Sequence, residues 1–180
     1  YLAALLAIGA VIALGMQQEW AVEREPTWIR GSAWCAFSAL GLALCATPIG
    51  RVFVALRKTT ATRVARIRRT LGISSAALAS THAALALFTY LRDSWGHLLP
   101  VVWLRSGVLA VLILIALWLA SFPLVVKHAR IKLWKALQRA AYLAFALALH
   151  HALLSPFAPR AWVLSVAAIV AVVALLRLVK

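Results

Sequence analysis

The sequence predicts an all-α integral membrane bundle of six transmembrane helices, forming one domain over residues 1–180. Three observations carry this expectation: 65% of the residues are hydrophobic, mean hydropathy is +0.95, and the basic residues gather between apolar runs. A soluble domain is about 45–50% apolar, because polar surface must cover its core. Lipid removes that requirement. At roughly 20 residues per crossing plus short loops, six spans nearly exhaust the chain.

Apolar runs interrupted by charge place the segments at about 1–16, 32–56, 70–91, 101–126, 134–155 and 161–178. The first is short for a full span and the chain begins at Tyr1 rather than Met, so further N-terminal residues are expected. The second holds Cys35 and Cys45, whose ten-residue spacing puts them roughly 15 Å apart on one helix, beyond disulfide reach. Neither has metal-site spacing, and both read as small apolar fillers. The third carries His82, the fourth Arg105, and the fifth His150 and His151. Pro26, Pro100, Pro156 and Pro159 fall in or beside loops, while Pro48 and Pro123 are placed to kink or end the second and fourth segments.

Charge gives the orientation. Arg51, Arg57, Lys58, Arg63, Arg66, Arg68 and Arg69 follow the second segment. Lys127, Arg130, Lys132, Lys135 and Arg139 surround the start of the fifth, and Arg177 and Lys180 close the chain. The acids Glu19, Glu23, Glu25 and Asp93 all lie on the other side. The positive-inside rule makes the basic loops cytoplasmic, with both termini on that side of a bacterial inner membrane. A net charge of +15 is thereby explained without nucleic acid. Seven of the eight tryptophans lie near boundaries, as aromatic belts do; Trp118 is expected deep in a span.

Catalysis by paired carboxylates has no residues to use inside the spans, and no P-loop, Gly-rich dinucleotide turn, HExxH or CxxC occurs. A proton-driven solute carrier would want an intramembrane acid. Histidine remains. His97 and His128 read as ordinary loop residues, whereas His82, His150 and His151 occupy spans, where a polar group needs a partner or a function. Two imidazoles on separate helices can clamp a porphyrin; the ordinary alternative is a hydrogen bond to a carbonyl or hydroxyl of a neighbouring helix. Adjacent helical residues differ by about 100°, so one haem takes either His150 or His151. The strip above His151 (Ala148, Ala144, Ala140) is smaller than that above His150 (Leu147, Leu143, Ala146), which favours His151. Ser75, Ala79, Ala86 and Thr89 share the face of His82. The two sites are offset by about five residues, roughly 8 Å along straight helices.

The stretch Arg68–Tyr90, RRTLGISSAALASTHAALALFTY, resembles the third helix of the ferric reductase-like transmembrane domain, and Trp134–His151, WKALQRAAYLAFALALHH, resembles its fifth. The likeness covers about residues 50–155. Among members of that superfamily, the nearest likeness is to the haem-binding membrane subunit of the bacterial periplasmic methionine sulfoxide reductase system. The resemblance implies b haem between the third and fifth helices, with His82 and His151 as iron ligands. Two-haem relatives carry a second histidine on each helix; here Arg68 and Gln138 stand at those positions, so one haem is implied. Arg105, inside the fourth segment with no carboxylate in reach, suits a haem propionate or the lipid headgroups; Arg92 is a weaker candidate for the same role. The expected function is a membrane cytochrome b electron-transfer subunit, one component of an oxidoreductase system. Its expected partners are a cytoplasmic flavoprotein or quinol as donor, an outer-side redox partner or larger membrane complex, and lipid. The rival is a haem-free structural or assembly subunit, which Gln138 would suit.

Overall fold

The computed structural model describes residues 27–55, 61–89, 91–92, 96, 98–128 and 131–175. The first expected segment, all four acids and His97 lie outside the described residues. The described residues form an all-α membrane bundle: α1 (Thr27–Ala55), α2 (Ala61–Thr89), α3 (Val102–Leu119), α4 (Pro123–His128), α5 (Ile131–Leu154) and α6 (Arg160–Leu175). The stretches Trp28–Arg51, Ala61–Thr89 and Val102–Leu119 are long and apolar enough to cross a membrane, and α6 is a shorter apolar helix. Large apolar side chains such as Leu42, Leu112, Leu143, Ile169 and Val172 face outward, which suits lipid as the surrounding solvent.

Helix limits differ from the sequence expectation where local chemistry decides. Helix α2 begins nine residues before the expected position 70, because Ala61–Arg69 contains no Gly or Pro and is rich in Ala and Arg, both good helix formers. Arg63, Arg66, Arg68 and Arg69 therefore stand on the helix itself rather than in a loop. The expected single run over 101–126 is instead two helices. Phe122 precedes a proline and so disfavours helical geometry, and Pro123, which needs no N–H partner, opens α4. The last turn of α3 closes with Ser121 N–H donating to the Trp118 carbonyl at 2.9 Å and Phe122 N–H to the Leu119 carbonyl at 3.2 Å. The Arg69 guanidinium donates to the Ser121 carbonyl, placing a cation at the negative end of α3. Trp118 consequently stands one residue from the end of its helix, not deep within it. Pro48 does not end its helix: it lies buried inside α1, which continues to Ala55 at the cost of one ladder hydrogen bond.

Helix α1 packs along α2 and α3 along α5; α2 also meets α3, and α6 closes against α1 and α5. Small residues set the close approaches. A methyl on Gly50 would strike Val64 of α2, and one on Gly41 would reach Val166 and Val170 of α6 at 3.2 Å. The core joins Phe37, Leu40 and Leu44 of α1 to Ala76 and Leu78 of α2, Leu114 of α3, Ala144 and Phe145 of α5, and Val163 of α6. Phe37 and Phe145 stack with ring centres 4.9 Å apart. Most helical hydroxyls bond back along their own helix, Ser80 to the Ala76 carbonyl and Thr81 to the Ala77 carbonyl among them. Ser75 instead crosses to the Ala36 carbonyl of α1 at 2.9 Å, a buried bond that fixes the α1–α2 register. Cys45 is buried, but Cys35 is exposed on α1, so only one of the two cysteines fills the core.

Candidate functional site

The helices that carry His82 and His151, α2 and α5, are not a closely packed pair. Between them lies a cavity of about 280 Å³, some twenty times what one water needs. Its wall is almost wholly apolar and, near the histidines, made of small residues: Ala79, Ala83 and Ala86 of α2, Gly107 and Ala110 of α3, Ala148 and Ala152 of α5. Phe37 of α1 and Trp162 of α6 close the side, their rings 5.8 Å apart, with Trp34 against Trp162 at 6.1 Å. Both His82 and His151 line this cavity. Their ring centres are 6.4 Å apart and their planes cross at 66°. The five-residue axial offset expected for straight helices does not keep the rings apart.

Each ring is fixed by its other nitrogen. His82 Nδ1 lies 3.0 Å from the Ile29 carbonyl of α1, and His151 Nδ1 lies 2.8 Å from the Trp103 carbonyl of α3. A carbonyl only accepts, so each Nδ1 carries the proton and donates; in neutral imidazole that leaves the lone pair on Nε2. This is the arrangement of metal-binding histidine, whose far N–H is held by a carbonyl while the near nitrogen is free to coordinate. Gly107 makes room for it. A methyl there would lie 2.7 Å from His151 Nδ1 and 3.0 Å from Cε1. The indole of Trp103 packs against the same ring, with centres 5.4 Å apart.

His150 points elsewhere. Its Nδ1 lies 3.1 Å from Ser106 Oγ of α3, and the residue is exposed. Of the two adjacent histidines the structure brings His151, not His150, to His82. Arg105 and Arg92 are exposed and do not line the cavity, although their neighbours Leu104 and Leu91 do. Arg68 and Gln138, at the positions where a second pair of ligands would stand, are half-buried and likewise not in the wall. His128 donates from Nδ1 to the Leu124 carbonyl of its own helix at 2.8 Å. Among the described residues no group of three or more His, Cys, Asp or Glu stands together, so the cavity's metal-binding potential rests on the two imidazoles.

Sequence reasoning missed the Ile29 and Trp103 carbonyls, because Ile29 precedes the expected second segment and main-chain acceptors leave no signature. Ser106 and Gly107 did leave one, a small polar–glycine pair at the head of an apolar run. No curated protein and no solved structure matches the chain. The sequence pattern defining the family described as ferric reductase like transmembrane component matches residues 32–149, a stretch that contains most of α1, all of α2 to α4, and α5 as far as the residue before the His150–His151 pair. With about two thirds of its length inside that pattern, the chain belongs to the ferric reductase-like transmembrane family.

Proposed function

We propose that the chain is a b-type cytochrome subunit of the membrane, holding one haem between α2 and α5 and passing single electrons through it. The observation that carries this reading is the pair of opposed imidazoles in an apolar cavity, each with its Nδ1–H committed to a carbonyl. Histidine–metal bonds of roughly 2.0–2.1 Å, with about 1.1 Å from nitrogen to ring centre, separate two ring centres across one metal by about 6.3 Å. The observed 6.4 Å supports that fit. Two protein ligands alone underfill a metal's coordination sphere, and a porphyrin supplies the four equatorial nitrogens that the wall of Ala and Gly cannot. A haem held by His82 and His151 would supply one-electron ferric–ferrous chemistry, and using both histidines as ligands would suit electron transfer over oxygen binding.

His82 and His151 are the iron ligands in this reading, through Nε2. Arg105 and Arg92, each one residue from the cavity wall, would meet the propionates from outside it. The apolar wall excludes water and the four elements that meet there fix both rings, which keeps reorganisation between oxidation states small. The basic face on Arg63, Arg66 and Arg69 of α2 would lie on the cytoplasmic side of a bacterial inner membrane, against anionic lipid or an acidic flavoprotein. Quinol is the alternative donor, and the acceptor would be an outer-side redox partner or a larger complex. Two imidazoles of different helices lining one apolar cavity favour this over a haem-free assembly subunit, which has no use for such a pair. The test is an absorption spectrum of chain purified after expression with ample haem. A Soret band and a sharp reduced α band of b type are expected; a colourless protein would refute the reading.

A further inference from the structure

The carbonyl that holds His151 is shared. Trp103 O accepts His151 Nδ1–H at 2.8 Å and Ser106 Oγ–H at 2.9 Å, besides its place in the α3 ladder. Ser106 Oγ in turn accepts His150 Nδ1–H at 3.1 Å, since its own proton is already donated to Trp103. Ser106 is buried at 5% exposure, so water does not substitute for these bonds. The two adjacent histidines of α5 thus converge on one main-chain oxygen of α3, His151 directly and His150 through a hydroxyl.

Resting on the haem reading above, we propose that Ser106 and His150 are positioning residues that set the strength of the His151–Trp103 hydrogen bond, and through it the redox poise of the iron His151 would ligate. The physics is competition. An imidazole whose N–H is held more strongly becomes a more basic ligand and favours ferric iron. The Ser106 hydroxyl draws on the same oxygen and weakens its hold on His151. Donation from His150 polarises that hydroxyl and makes it a stronger competitor. Both residues therefore raise the reduction potential above the value His151 and Trp103 alone would give. A lipid-facing histidine merely finding a hydroxyl would leave the potential untouched.

The experiment is a spectroscopic redox titration of the purified, haem-loaded chain and its variants. Ser106→Ala is expected to shift the ferric–ferrous equilibrium about tenfold toward ferric, a fall of about 59 mV for one electron. His150→Phe should shift it the same way by less. Ser106→Thr, which keeps the hydroxyl, and His150→Asn, which keeps a donor in the place of Nδ1, should restore the wild-type midpoint. Haem-loaded Ser106→Ala with an unchanged midpoint overturns the proposal and leaves the haem reading standing. A wild-type chain that takes up no haem overturns that reading and this proposal together. If Ser106→Ala alone loses haem, nitrogen-15 histidine labelling of the haem-free protein decides. The His151 Nδ1–H proton must move downfield in the variant, and an unmoved resonance overturns the proposal.

Discussion

Replacing His82 or His151 with Ala is expected to abolish the haem spectrum of the purified chain, while His150→Ala keeps it. Loss of an outer hydrogen-bond partner alone commonly lowers metal affinity by roughly 10–100-fold, so loss of a ligand should exceed that range. The cavity offers no substitute, because its wall is Ala, Gly, Leu, Val, Phe and Trp with two serines. His150 is not placed to step in, since its Nδ1 is held by Ser106 Oγ of α3 and its side chain does not line the cavity. The measurement is the Soret absorbance per protein after haem reconstitution. Bleaching by His150→Ala with a spared His151→Ala would reverse the ligand assignment.

The second large effect belongs to Gly107. Glycine inside a helix ordinarily costs about 0.8–1.0 kcal/mol relative to Ala, so Gly107→Ala should stabilise α3 if nothing opposed the methyl. The His151 ring opposes it, with Nδ1, Cε1 and Cγ all within 2.7–3.1 Å of the added carbon. Overpacking of that kind costs about 1–3 kcal/mol, and the cheapest relief is for the ring to leave the Trp103 carbonyl. Haem affinity is therefore expected to fall by about 10–100-fold in Gly107→Ala and further in Gly107→Val, with the helical fold retained by circular dichroism. Haem titration of the apoprotein checks this. Unchanged affinity in Gly107→Val would mean that His151 does not depend on this clearance.

Both predictions turn on contacts that the sequence only half discloses. The helical bundle was legible because composition and charge are properties of whole segments: the run that became α2, the apolar α3 and the short α6 stand out from hydropathy alone. Helix ends were less legible. The stop at Leu119 depends on a single Pro123 acting on Phe122, while Pro48, the same residue type, is absorbed within α1. The expectation of His151 over His150 followed from the size of the residues above each; His151, Ala148 and Ala152 line the cavity on that face, and His150 does not. What holds the rings was not legible. The Ile29 and Trp103 carbonyls are main-chain atoms on other helices, brought to the imidazoles only by how α1 lies on α2 and α3 on α5. Arg105 shows the converse: a charge inside an apolar segment suggests a buried partner, yet the side chain is exposed at the head of α3.

Electron paramagnetic resonance of the ferric protein tests most directly whether one iron joins the two helices. Imidazole planes crossing at 66° should give a low-spin signal of the strongly anisotropic type, as steeply crossed axial ligands do. A high-spin signal, from iron held on one face only, would contradict it.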